Sequence, residues 1–342
     1  MEKQMTKTER VRGAVRFEDI DRIPISLWPH FTDVDQDWEK LADAQFRHYQ
    51  ILDLDFVKLM PFGLYGVEDY GVKIEKFYLP DQWPRVAEEF IQKDEDWEKI
   101  VPLDVTKGTY GDQLRYAGRM LDLMKEADDV APVIHTIFSP LTTLYKLIGE
   151  KKLLSAIGEE PDKVHGALET ITATTVEFVK ENISLGISGF FFASQLANYR
   201  FMDDPTYDEF GEAYDRRVIA AYQDETWFNV VHIHSFTQQQ EMAMFERLMN
   251  YPATCANWHD RWTGPSLAEA RKVTDKCLIG GINEEQYFNK VDYREVYDHV
   301  REGMELGGRR GYMVGPGCTI YEDTPAANYM AARLAVEKYG KL

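Results

Sequence analysis

Cysteine is scarce in this chain: Cys255, Cys277 and Cys318 are the only three among 342 residues. An odd, sparse set provides no disulfide framework and suits a reducing compartment. Long apolar runs are missing too, and no stretch approaches the ~18 residues that a membrane helix needs. The opening MEKQMTKTERVRGAVRFEDIDR is charged throughout and lacks the apolar core of a secretory signal. Basic residues are outnumbered: 39 Lys and Arg face 58 Asp and Glu, a net charge of −19. That balance argues against nucleic acid and anionic membranes, which need concentrated Lys and Arg. A basic protein partner would suit it, although solubility alone accounts for it. Neither GxGxxG nor GxxxxGK[ST] occurs, and there is no GxSxG. Dinucleotide hydride transfer, P-loop chemistry and a nucleophile-elbow hydrolase therefore lose ground. A soluble cytoplasmic protein is the expectation.

What is present is a core and a rhythm. Hydrophobic residues make up 44% and aromatic residues 13%, and no low-complexity linker divides the chain, so residues 1–342 read as one domain. Thr6-Lys-Thr-Glu9 resembles a capping box and opens a helix with Val11, Ala14 and Val15 on one face. Strand-length apolar runs follow at Ile23–Trp28, Asp55–Met60, Pro132–Phe138, Ile187–Ala193, Trp227–His234, Thr254–Trp258, Cys277–Ile282 and Gly311–Gly315. Runs apolar on both faces are what a doubly covered parallel sheet requires. Between them Tyr207–Gln223 and Asp292–Leu306 show helical spacing, with Gly307 placed to end the second, and Ser266-Leu-Ala-Glu269 forms another capping box. Eight β/α units predict an α/β fold, a (β/α)8 TIM barrel with an N-terminal helical lead-in; an open doubly wound sheet is the competitor. Residues 61–130 read as an extended insertion after the second strand, with a lid as one role for it.

In such barrels chemistry sits at the C-terminal strand ends. Trp28, His30 and Asp33 end the first run, Met60 and then Tyr65 the second, His135 and Phe138 the third, Gln195 and Tyr199 the fourth. His232 and His234 end the fifth, Asn257, His259 and Asp260 the sixth, Asn283 the seventh and Cys318 the eighth. His232-Ile-His234 is the sharpest feature, because residues i and i+2 of a strand share a face and Ile233 turns to the helices. Zinc prefers imidazole and thiolate, and catalytic sites use three protein ligands with one open position; Cys318, after the turn Gly315-Pro-Gly317, is the third candidate. The alternatives are packed or substrate-binding histidines and an ordinary buried thiol. His259, Asp260 and Asn257 suit acid–base or substrate-orienting roles, or a structural His–Asp bond. Lys58, inside an apolar run, needs a counter-charge, for which Asp33 and Glu68 are available. Trp28, Phe62, Tyr65, Phe138, Tyr199 and Phe201 either line a pocket for a flat substrate or fill the core.

TKTERVRGAVRFEDIDRIPISLW, Ser139-Pro140-Leu141, SLAEARKVTDKCLIGGI and GPGCTIYEDTPAANYMAA together resemble the uroporphyrinogen decarboxylase-like superfamily across nearly the whole chain. The resemblance implies a (β/α)8 barrel. Decarboxylases of that group carry an arginine-rich segment after the first strand, whereas this chain has acidic WPHFTDVDQDW, which would repel a polycarboxylate porphyrinogen. The other branch, corrinoid-dependent methyltransferases, holds zinc with a His-x-Cys pair on the fifth strand and a Cys after the eighth. His232 and Cys318 match; His234 stands where the branch has cysteine. One thiolate fewer makes a harder Lewis acid, suited to an ether oxygen. The resemblance thus implies Zn2+ and a corrinoid (cobalamin) on a partner protein, since no Asp-x-His-x-x-Gly occurs here. It also implies a small-molecule methyl donor or acceptor, with an aryl methyl ether (O-demethylation) first and a thiol second. The competing expectations are a metal-independent lyase using His259, Asp260 and Tyr199 on a small acid, and a barrel that binds without catalysis. An acidic barrel with exposed aromatics is compatible with a homodimer.

Overall fold

The computed structural model describes residues 4–76, 84–127, 131–236 and 243–341. Seven parallel strands form one curled sheet: β1 (Val57–Leu59), β4 (Val133–Phe138), β5 (Gly189–Ser194), β6 (Val230–Ile233), β7 (Cys255–Trp258), β8 (Cys277–Ile282) and β9 (Tyr312–Pro316), hydrogen-bonded in that order. A small antiparallel pair, β2 (Ile74–Glu75) and β3 (Arg85–Val86), stands apart. The eighth wall is Ile23–Trp28, where Ile25 bridges Val314 in parallel. Ser26 N–H donates to Val314 O (3.1 Å), Val314 N–H to Pro24 O (2.8 Å), and Asp55 N–H to Ile25 O (2.8 Å). These bonds join β9 to β1 through the segment and close the barrel, as eight apolar runs require.

Period-2 alternation splits the core into two clusters. Trp28, Phe56, Met60, Ile134, Phe191, Val230, Cys255, Cys277, Ile279 and Met313 fill the barrel interior. Val57, Leu59, Ile137, Phe192, Ile233, Trp258 and Leu278 face the surrounding helices. Both capping boxes form, at Thr6/Glu9 and Ser266/Glu269. Ser139 caps Pro140–Ile148, with Pro140 in the first turn, where its missing N–H costs nothing.

The helix expected at Tyr207–Gln223 starts earlier, at Asp204, passes through a π-helical turn at Asp208–Glu212 and continues as Ala213–Ala220. Two local expectations need correction. The helix expected to stop at Gly307 includes it, and Gly308, with φ of +81°, is the cap. The insertion at 61–130 contributes no barrel strand among its described residues and ends in the barrel helix Gly108–Glu126; residues 77–83 and 128–130 of it lie outside the described residues. Among the described residues no helix is long and apolar enough to cross a membrane.

Candidate metal centre and its cavity

His232 is the last inward-facing residue of β6, and register sets Asn257 of β7 directly beside it. Side chains opposite one another on adjacent strands leave the sheet on the same face. Asn257 Nδ2 donates to Ile279 O (2.9 Å) and Pro316 O (3.0 Å), so its Oδ1 is turned to His232 Nδ1 at 2.7 Å. That oxygen can only accept, which places the proton on Nδ1 and leaves Nε2 with its lone pair. Ring orientation is fixed as well, by Phe191 stacked on the imidazole at 4.8 Å. Burial lowers the His232 pKa, against the opposing pull of Cys318. A neutral imidazole with one nitrogen anchored is the form in which histidine binds metal.

His234 follows on the same face, just past the strand, its backbone N–H tied to Ser194 O (3.0 Å). Cys318 Sγ lies 3.4 Å from His234 Nδ1. The donor atoms of His232, His234 and Cys318 lie within 4.8 Å of one another, the expected trio. Burial pushes the Cys318 thiol up, but His234, His232 and His259 outweigh it and hold the sulfur well below the ordinary thiol range.

Glu284, at the end of β8, was not singled out by the sequence and organises this corner. One carboxylate oxygen accepts from His259 Nδ1 (2.6 Å) and the other from Gly317 N–H (2.9 Å). Its charge offsets the burial of His259 and raises that imidazole to about 10. His259 Nε2 is thereby turned to the centre, 3.3 Å from His234 Nδ1. Gly317 has to be glycine: a Cβ there would lie 2.8 Å from His259 Cα and 3.0 Å from Glu284 Oε2. The only sequence signal was position, an acidic pair Glu284-Glu285 directly after the seventh run.

The trio opens onto a cavity of about 470 Å³, inside the ~300–1,000 Å³ range of ligand sites. His30, Phe138 and Gln195, three of the strand-end candidates, line it together with Met60, Phe191, Thr136, Lys58 and Lys146. Pro61, Gly63, Leu64 and Pro84 of the insertion also line it, in the place where a lid was expected. Burial, reinforced by Lys58 and Lys146, pushes His30 down to about 3.

Other expected residues lie elsewhere. Trp28 is buried beneath the cavity between Phe56 and Phe191, with ring centroids 6.2 and 6.0 Å away. Tyr65 donates to Thr136 O (2.9 Å) from within the helical layer, among Tyr110 and Phe178. His135 has the wrong parity: it alternates with inward Ile134 and Thr136, and so its Nδ1 meets Asn182 Oδ1 (2.6 Å) between strand and helix. Asp260 turns away from the cavity and accepts from Gly281 N–H (3.1 Å); Gly280 is needed there, since a Cβ would sit 2.5 Å from its Oδ1. Tyr199 is 42% exposed and donates to Asp204 (2.9 Å). Neither Asp33, which is exposed, nor Glu68, which pairs with Lys76, serves Lys58.

Known proteins agree with this architecture. Methylcobamide:CoM methyltransferase MtbA of Methanosarcina acetivorans is 21% identical over 340 residues, covering 95% of this chain and 96% of that protein. Methylated-thiol–coenzyme M methyltransferase of Methanosarcina mazei is 21% identical over 358 residues, covering 97% and 89%. Among solved structures, a methyltransferase from Methanosarcina mazei shares the fold with a TM-score of 0.82, at 16% identity over 98% of this chain and 99% of that one. The family model described as uroporphyrinogen decarboxylase (URO-D) matches residues 6–339. With almost every residue inside that match, the chain belongs to the uroporphyrinogen decarboxylase family of enzymes.

Proposed function

We propose that this enzyme moves a methyl group between a small substrate and the cobalt of a corrinoid held by a separate protein, using zinc bound by His232, His234 and Cys318. One observation carries the reading: these donors converge within 4.8 Å at the wall of a cavity, and Asn257 already holds His232 in the ligand tautomer. Two imidazoles and one thiolate suit zinc and leave room for a substrate atom. When bound, the zinc would supply Lewis-acid chemistry, drawing charge from that atom.

The chain's own residues do the rest. Phe138, Phe191 and Met60 give the cavity flat, apolar walls, and Gln195 and Thr136 add polar edges. Pro61, Leu64 and Pro84 of the insertion add further apolar lining, which disfavours water near the reacting atoms. His259, anchored at Nδ1 by Glu284, offers Nε2 either as a proton carrier for a leaving oxygen or as a further donor to the metal. The favoured substrate is a methoxylated aromatic, demethylated at oxygen, because a two-histidine, one-cysteine set is harder than one rich in thiolate. Transfer from methylcorrinoid to a thiol is the second reading, favoured by the relatives named for coenzyme M. The metal-independent lyase loses its geometry, since Tyr199 and Asp260 do not converge with His259 on the cavity.

Elemental mass spectrometry of the purified chain tests the centre. The expected result is about one zinc per chain, lost in His232→Ala and in Cys318→Ser. A parent chain that neither carries nor accepts zinc would overturn the reading. Methyl transfer from methoxyarenes to a Co(I) corrinoid protein, set against transfer from a methylcorrinoid to thiols, then separates the two substrates.

A further inference from the structure

Two ammonium groups in the cavity have no role in the chemistry above. Lys58 leaves β1 for the barrel interior and is 5% exposed. Its Nζ rests on Met60 Sδ (2.7 Å) and lies 4.3 Å from the Phe191 ring centre. Lys146 reaches in from Pro140–Ile148; its Nζ donates to Gly63 O (2.7 Å) and sits 3.7 Å over the Phe138 ring. Among the described residues neither has a carboxylate partner. Glu285, the one carboxylate lining the cavity among the described residues, is engaged by Tyr321 O–H (2.6 Å).

The contrast with the rest of the molecule is sharp. In a chain with 58 acidic residues, the buried Arg10 and Arg22 converge on Asp55, and the buried His259 meets Glu284. A desolvated cation without a counter-charge is costly, and burial lowers both lysines to about 7 against the opposing charge of Cys318. An anion entering this apolar-walled cavity of about 470 Å³ would favour the charged form of both lysines.

We propose that Lys58 and Lys146 form an anion subsite for the carboxylate of the substrate, which is therefore a methoxylated aromatic acid. This rests on the methyl-transfer reading for the identity of the substrate's other end. The anion would supply the counter-charge that the fold leaves out, while the aromatic ring packs on Phe138 and Phe191.

Isothermal titration of the zinc-loaded chain, without any corrinoid protein, tests the subsite. Each methoxybenzoate isomer is compared with its methoxybenzamide, which has the same shape and no charge. The expected result is at least tenfold tighter binding of one acid than of its amide, weakening with salt, and loss of that preference in Lys58→Met and Lys146→Met. Should either variant fail to fold, the acid–amide comparison on the parent chain decides alone. Equal affinity for acid and amide would overturn the proposal, as would a preference for a short alkyl sulfonate over every aromatic acid. Lysine-dependent binding of the acids without methyl transfer to Co(I) corrinoid would support the subsite and overturn the methyl-transfer reading instead. Efficient demethylation of neutral methoxyarenes, with the acids excluded, would do the reverse.

Discussion

Asn257 shows how much one residue decides here. Its amide donates to two carbonyls, so the remaining oxygen fixes His232 in the tautomer with its lone pair on Nε2. Glu284 plays the matching role for His259 and for the backbone that carries Cys318. Partners of this kind, behind the metal ligands, typically change affinity 10–100-fold when removed. We therefore expect Asn257→Ala to bind zinc about 10–100-fold more weakly, with its circular dichroism unchanged, as read by competition with a chromophoric chelator. Unchanged zinc affinity would mean that the Asn257–His232 bond is structural only.

At the scale of elements, strand parity sorts the histidines. His232 and Asn257 face inward in register, and His135, one position out of phase with Ile134 and Thr136, faces the helices. The π-helical turn at Asp208–Glu212 precedes a buried acid that binds elements together. Asp215, on Ala213–Ala220, accepts from Tyr207 O–H and Tyr251 O–H (2.9 Å each). Tyr207 in turn meets Ser194 Oγ (3.2 Å) at the end of β5. Burial raises the Asp215 carboxyl from 3.8 to about 7, against the pull of the two tyrosines. The folded state thus holds a proton that the unfolded state releases near 3.8. This contribution is complete below that value and is lost as pH rises through about 7. Asp215→Asn should remove it. The stability difference between parent and variant, from urea unfolding at pH 4 to 8, should then slope by up to about 1.4 kcal/mol per pH unit within that window. A difference independent of pH would show that Asp215 is ionised throughout.

At the scale of the whole molecule, the barrel is closed at its lower end by charge as well as by ladder bonds. Asp55 is fully buried and accepts from Arg10 (2.7 Å), from Arg22 (2.6 and 3.0 Å) and from Ile25 N–H (2.8 Å). It ties the N-terminal helix Lys7–Val15 and the eighth wall, Ile23–Trp28, to the start of β1. Removing one member of a buried ion cluster strands the others, at a cost of roughly 3–5 kcal/mol. Asp55→Ala should therefore lower the unfolding free energy by about that much, seen as a shift of the denaturant midpoint. A loss below about 1 kcal/mol would place the closure in the apolar ladder alone.

The sequence by itself determined the barrel. Eight apolar runs, two capping boxes and the placement of Ser139-Pro140 are local patterns, and local patterns survive into the fold because backbone bonding and burial act on short stretches of chain. His232, His234 and Cys318 were legible for the same reason: spacing i, i+2 and a tight turn after the last strand place donors on one face. What only the tertiary structure decided is which strand ends share a space. Asp260 and Tyr199 sit at strand ends in sequence but turn to Gly281 and Asp204. Lys146, invisible as a helix residue, enters the cavity and joins Lys58. Glu284 meets His259 across 25 residues. Such pairings depend on the direction of each side chain and on neighbours brought together by barrel closure, and periodicity along one chain carries no information about either.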